Sequence, residues 1–270
     1  MSDENGNEEF TMSATFAGKR VAITGAAGGI GQTLCRLFGG EGAFIFALDK
    51  SDKVLGLAES LAAEGIAAKA AVVDIGSAEA VAAAFASAGD IDILVNNAGY
   101  SHHPTLALTD PAAWQSEMNG NLGGAHACAH AVLPGMVARR SGSIVSVGSV
   151  NALHALGDPA YSAAKAGMIA LTKALAMEYG RYGIRANIVL PGTVRSPLWD
   201  ERAKKDPKVL ETLQRWYPLG RIVDPIEVAR VVAFLASDAA SAVTGAAIPV
   251  DCGLTAGNIV MSRELTLEDF

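Results

Sequence analysis

Long apolar runs are missing from this 270-residue chain. No stretch reaches the roughly 18 apolar residues that a spanning helix requires, and the first residues lack the basic-then-apolar order of a secretion signal. A membrane partner is therefore not expected, and the cytoplasm is the expected compartment. Basic clusters are missing as well: the net charge is -7 and no run of Lys or Arg exceeds a pair. That pattern gives no electrostatic footprint for nucleic acid or an anionic surface, so the expected partner is a small molecule. Cysteine is scarce. Cys35, Cys128 and Cys252 are odd in number and fit no metal-ligand spacing, which suits a reducing compartment and a role as small buried hydrophobes. No metal site is expected.

What the chain does have is apolar content. Half of its residues are hydrophobic, enough to bury one sizeable core. Residues 1–16 are acidic and polar, with Asp3, Glu4, Glu8 and Glu9, and read as a disordered tail; residues 17–270 read as a single domain. From Lys19 onward, short β-rich runs alternate with Ala-rich stretches of helical period. The runs are Arg20–Thr24, Ala43–Leu48, Ala68–Val73, Ile91–Val95, Ser143–Val147, Arg185–Leu190 and Ala247–Val250. Most are apolar throughout, as strands covered on both faces should be. The expected fold is α/β: a doubly wound, seven-stranded parallel sheet with helices on both faces. Asp158-Pro159 and Asp224-Pro225 each pair an N-cap acceptor with a residue that needs no amide hydrogen at N1, so helices are predicted to start at Pro159 and Pro225. The segment from about residue 195 to 217 has no strand signal and reads as a lid.

The join of the first strand and first helix reads Thr24-Gly25-Ala26-Ala27-Gly28-Gly29-Ile30-Gly31. Glycines there let the backbone approach a pyrophosphate held at a helix N-terminus. The serving residues would be Gly25, Gly29 and Gly31, with Gly28 and Ile30 beside them; the spacing departs from the common G-x-G-x-x-G. Asp49 ends the second strand, where a carboxylate accepts from both ribose hydroxyls of an adenosine and repels a 2′-phosphate. NAD is therefore expected over NADP. Asp74, followed by Ile75, comes just after the third strand and is placed to meet the adenine, although a turn-forming Asp is as good a reading there.

Tyr161 and Lys165 are one helical turn apart and share a face at the start of the helix opened by Pro159. An ammonium about 4 Å from a phenol contributes about 4 kcal/mol at an effective dielectric of 20, which would lower the phenol's pKa by a few units. Ser149, at the end of the fifth strand, precedes this helix and is placed to hydrogen-bond a substrate oxygen. Taken alone, Y-x-x-x-K is a weak pattern.

Together with its neighbours the pattern is specific, and residues from about Lys19 to Gly253 resemble the short-chain dehydrogenase/reductase family. The glycine loop resembles that family's cofactor loop, Asn96-Asn97-Ala98-Gly99 its segment after the fourth strand, and Asn121 its helix asparagine. Ser149, Tyr161 and Lys165 fall on its catalytic positions. Pro191-Gly192 matches the turn by the nicotinamide, and Val250-Asp251-Cys252-Gly253 resembles its closing V-D-G-G, with Cys252 in place of a glycine.

The resemblance implies a Rossmann-type fold and a relay in which Asn121, through a bound water, supports Lys165. Lys165 also holds the nicotinamide ribose, and Tyr161 performs the acid-base step. It implies that Asn97, Ala98, Gly99, Val194 and Ser196 lie along the cofactor. It also implies a homotetramer packed through the helices around Asn121 and Tyr161, for which Ala163, Ala166, Gly167, Ala170 and Ala174 offer a small-residue face.

Substrate candidates come from Tyr100 to His103, Asn151 to His154 and Arg195 to Tyr217. Asn151, His154, His102 and Arg195 are hydrogen-bonding groups; Leu153, Trp199 and Trp216 are apolar walls. The expected reaction is reversible oxidation of a secondary alcohol to a ketone with NAD, with a polyol or sugar-like alcohol favoured. The alternatives are a 3-oxoacyl thioester reductase, for which Arg139-Arg140 would attract an acidic carrier, and a non-catalytic nucleotide-sensing or scaffold protein on the same fold.

Overall fold

The computed structural model describes residues 16–196, 199, 202, 204–206 and 208–268. The strands are β1 (Arg20–Thr24), β2 (Phe44–Asp49), β3 (Ala68–Val72), β4 (Ile93–Asn96), β5 (Gly142–Val147), β6 (Ile184–Pro191) and β7 (Ala247–Val250). They form one seven-stranded sheet in the order β3-β2-β1-β4-β5-β6-β7, and every pairing is parallel. The helices are α1 (Gly29–Gly40), α2 (Lys53–Ala63), α3 (Ala78–Ala86), α4 (Pro111–Met118), α5 (Gly124–Arg139), α6 (Pro159–Tyr179), α7 (Val209–Gln214), α8 (Pro225–Ala236) and α9 (Ile259–Thr266).

Strand period two sends alternate side chains to opposite faces, and each face has its own core. Val21, Ile23 and Ile45 pack with Leu34 and Phe38 of α1, Leu57 of α2 and Val228 and Val232 of α8. Ala22, Phe46 and Leu94 pack instead with Val81 and Phe85 of α3 and Cys128, Val132 and Met136 of α5. The doubly wound architecture expected from the sequence is present. Strand order reverses between β1 and β4, which opens a crevice at the carboxyl ends of these strands, where ligands bind in such sheets.

Several local expectations are corrected. Phe16, the last residue of the expected tail, is buried against Phe38 with ring centroids 4.6 Å apart; the rest of that segment lies outside the described residues. Helices do start at Pro159 and Pro225. Asp158, however, does not cap α6: its backbone is left-handed (φ +48°) and its carboxylate accepts from Ser101 Oγ at 2.5 Å. At α8 the Asp224 backbone N–H donates to Glu227 Oε2 at 2.9 Å, one half of a capping box. The 195–217 segment has a parallel bridge from Val194 to Val223 just before it and carries helix α7; residues 197, 198, 200, 201, 203 and 207 of it lie outside the described residues.

Candidate active site

Two cavities open beside the carboxyl ends of the strands. The first, about 390 Å³, is lined by Gly25, Gly28, Gly29, Ile30 and Gly31 of the glycine loop. Asp49, Asp74, Ile75, Asn97, Ala98, Gly99, Val194 and Ser196, also expected at the coenzyme, line it too. Lys50, Tyr100, Gly120 and Arg195 also line it.

The loop's glycines have distinct physical reasons. Gly25 has φ +64°, and a Cβ there would lie 2.7 Å from Ala98 Cα. A Cβ at Gly31 would lie 2.1 Å from Gly25 O, so the first turn of α1 packs directly on the loop. A Cβ at Gly29 would meet nothing within 4 Å, and Gly29 faces the cavity, where a bound group would meet it. No side chain caps α1, and its first turn carries no acidic residue. An uncapped N-terminus at a bare backbone cradle fits the diphosphate of a dinucleotide.

Asn97 ties this loop to β4. Its side-chain amide donates to Thr24 O and Gly25 O at 3.0 Å each, while the Asn97 and Ala98 backbone N–H groups donate to Thr24 Oγ1. Asp49 accepts from the Ala27 N–H at 3.0 Å and the Ser51 N–H at 2.9 Å, which fixes the carboxylate at the cavity wall. Asp74 accepts from the Gly76 N–H at 2.8 Å, so it makes the turn that was the competing reading and lines the cavity as well.

The second cavity, about 820 Å³, is lined by Ser149, Asn151 and His154, as expected, and by Trp199 and Trp216 from the 195–217 segment. Thr193, Tyr217, Thr255 and Asn258 also line it. Tyr217 is buried, and its hydroxyl accepts from the Thr193 N–H at 3.0 Å. Gly192 lines this cavity rather than the first, and Pro191 lines neither. Leu153 is exposed and outside both, and His102 stacks on Tyr100 at 4.9 Å rather than facing substrate space.

Tyr161 and Lys165, expected at the coenzyme and substrate, are among the lining residues of neither cavity. A Cβ on Gly99 would be 3.0 Å from Lys165 Nζ and 2.7 Å from Asn121 Oδ1, which puts both groups behind the first cavity. On the other side, Ser149 lines the second cavity. Ser149 Oγ also lies 3.2 Å from the Asn151 N–H, from which it accepts. Lys165 Nζ donates to Val147 O at 2.8 Å and stands 5.4 Å from the centre of the Tyr161 ring.

The expected pKa arrangement is corrected by this geometry. Burial pulls the Lys165 amine down to about 8. Burial pushes the Tyr161 phenol up; the Ser149 hydroxyl opposes that and the Asp158 carboxylate adds to it. Burial favours the neutral form of each group.

Asn121 sits in a π-helical turn, Asn119–Gly123, between α4 and α5. Its amide donates to Tyr100 O and Glu117 O, and its Oδ1 accepts from the Tyr100 N–H at 3.2 Å. Sequence reasoning missed Glu117. It is only 1% exposed, and its Oε1 accepts from the His102 N–H at 3.0 Å and pairs with His103 Nδ1 at 2.8 Å. The signal was its position four residues before Asn121, on the same helical face.

Arg139 and Arg140, set aside for an acidic carrier, are engaged within the domain. Arg139 pairs with Asp90 at 2.6 Å and donates to Ile91 O, and Arg140 donates to Arg181 O. Cys35 and Cys128 are buried, with thiols pushed up to about 12 by desolvation, whereas Cys252 is part-exposed with φ +52°.

Comparison with known proteins defines the class. The family model described as enoyl-(acyl carrier protein) reductase matches residues 25–255. An uncharacterised oxidoreductase of Schizosaccharomyces pombe is 41% identical over 256 residues, covering 94% of this chain and 98% of its own. The crystal structure of a short-chain dehydrogenase/reductase family oxidoreductase from Burkholderia thailandensis superposes with a TM-score of 0.89 at 49% identity, covering 93% of this chain and 98% of that one. A gluconate 5-dehydrogenase from Burkholderia cenocepacia, solved with NADP and tartrate, gives a TM-score of 0.84 at 35% identity, covering 91% and 98%. This chain belongs to the short-chain dehydrogenase/reductase family. It is an oxidoreductase that acts on CH–OH groups with a nicotinamide coenzyme.

Proposed function

We propose that the enzyme reversibly oxidises a secondary alcohol to a ketone, with NAD preferred over NADP and a polyol or sugar-like alcohol as substrate. One observation carries this reading: Lys165, one helical turn from Tyr161, stands behind Gly99 of the bare glycine cradle, and Ser149 lines the adjoining cavity with its polar wall. A nicotinamide coenzyme bound in that cradle supplies the hydride acceptor. In this reading Ser149 holds the substrate oxygen and Tyr161 takes the hydroxyl proton. For that step Tyr161 must start as the phenolate and end as the phenol; Lys165, held by Val147 O, stabilises the phenolate beforehand, and Asn121 stands behind Lys165. The remaining first-cavity residues hold the coenzyme, and Asn151 and His154 contact the substrate.

The NAD preference is supported by Asp49, whose carboxylate faces the first cavity and disfavours a 2′-phosphate. A homotetramer is supported by the exposed Ala166 and Ala170 of α6, which leave its outer face open to close helix packing. The alternative of a 3-oxoacyl thioester reductase is supported by a 3-oxoacyl-[acyl-carrier-protein] reductase of Thermotoga maritima, 40% identical over 248 residues, while the ion pair of Arg139 with Asp90 weakens the attraction of that arginine pair for an acidic carrier.

A rate panel with NAD and NADP across polyols, sugars, hydroxy acids and acyl thioesters tests the reading. Turnover of polyols or sugars with NAD is expected. Activity confined to acyl thioesters with NADPH would replace it with the alternative.

A further inference from the structure

The substrate cavity has a one-sided charge. Among its described lining residues, Asp158 is the anionic side chain and there is no lysine or arginine. The residues outside the description hold no lysine or arginine either, so none of them adds a cation. Arg202 and Arg215 stack on Trp199 and Trp216 at 4.6 and 4.7 Å and do not themselves line the cavity. The remaining polar lining includes the imidazole of His154 and the uncharged Asn151, Thr255 and Asn258, hydrogen-bonding groups that suit hydroxyls.

Asp158 is also held in a costly conformation. Its φ of +48° lies in the left-handed region, which side chains other than glycine adopt at some cost. It forgoes the N-cap bond that its position before Pro159 would allow. Instead its N–H donates to Pro104 O at 3.1 Å and its Oδ1 accepts from Ser101 Oγ, two contacts to the loop after β4. Surroundings that over-determine a strained residue at a cavity wall point to a use for it there.

We propose that Asp158 makes this cavity select neutral polyhydroxylated alcohols and reject the carboxylates of the same carbon skeleton. This rests on the secondary-alcohol reading above. A carboxylate entering the cavity loses hydration, meets no fixed cation and faces a fixed anion, so the discrimination comes from repulsion as much as from hydrogen bonding to the accepted substrate.

The test measures kcat/KM for matched pairs of equal chain length: xylitol with xylonate and glucitol with gluconate. Wild type is expected to favour the neutral member at least tenfold. Asp158→Asn keeps an acceptor for Ser101 and tolerates the left-handed backbone. It should raise the acid-to-neutral ratio about tenfold, the scale of a single charge repulsion across a partly solvated cavity. Added salt should move wild type in the same direction and leave the variant's ratio flat.

If Asp158→Asn fails to fold by thermal melt, Asp158→Gly serves, and the salt series on wild type stands on its own. Gluconate turned over as well as glucitol by wild type, or a ratio that neither substitution nor salt moves, overturns the inference and leaves alcohol oxidation intact. No turnover of either member together with reduction of an acyl thioester overturns both.

Discussion

Glu117 is a carboxylate that the fold buries almost completely, and removing it separates anchoring from incidental burial. Glu117→Ala deletes the acceptor for the His102 N–H and the partner of His103, each a bond to a charged group worth about 1.5–3 kcal/mol when fully buried. Two facts reduce that sum: the His103 side chain keeps 34% of its exposure, and Glu117 Oε2 is buried with no partner, so its loss relieves a desolvation cost. A net loss of about 2 kcal/mol is expected, which lowers Tm by roughly 4–8 °C at this size. The pH dependence follows from the carboxyl itself. Burial pushes its pKa up, but the bonds from His102 and His103 outweigh this and leave it below the ordinary value. A depressed carboxyl stabilises the fold above its unfolded pKa near 4.3, and that contribution disappears as pH falls through the lower folded value. Urea unfolding of wild type and variant from pH 7 downward should show curves that converge in acid. A variant as stable as wild type at pH 7, or a gap that widens in acid, would refute the anchoring role.

Other predictions concern the cradle, the lysine and the cysteine. Lys165→Met should stabilise the fold at pH 7 by about 2 kcal/mol, because burial holds the amine near 8 against an ordinary 10.5 and the lost bond to Val147 O offsets part of the gain. The sign is that of a base depressed by folding: the penalty is full below about 8 and vanishes as pH rises through 10.5, so chemical unfolding at pH 7 and pH 10 should show the gap closing. Gly29→Ala should fold normally yet lose coenzyme affinity in a fluorescence titration, whereas Gly25→Ala should also lower Tm, since its Cβ would strike Ala98. Cys252→Gly should raise stability by about 0.5–1 kcal/mol by relieving a side chain at positive φ, seen as a small rise in Tm.

The strands were legible because parallel strands buried on both faces are near-continuous apolar runs, and boundaries moved only by a residue or two, as at β4 and β6. The glycine loop was legible because its glycines stand at the join of the first strand and first helix, where Gly25 and Gly31 have backbone in the way of a Cβ and Gly29 faces open space in the cavity. Less was visible wherever a side chain's partner comes from elsewhere in the chain. Asp158 read as a cap because Pro159 follows it, but Ser101 and Pro104 claim it in the fold. Lys165 read as a charge aimed at Tyr161, whereas the carbonyl of Val147 orients it and dryness weakens it. Glu117 carries no local signal of burial, because the partners that hold it, His102 and His103, come from the loop after β4. The π-helical turn that carries Asn121 has no sequence signature that propensity arguments detect.

The central proposition is that the Tyr161 hydroxyl carries the proton in alcohol oxidation. Its direct measurement is single-turnover oxidation by Tyr161→Phe, with coenzyme binding followed by fluorescence in the same samples. Coenzyme should still bind, and the chemical step should slow by about 10²–10⁴-fold. A hydride-transfer rate equal to wild type would contradict the account.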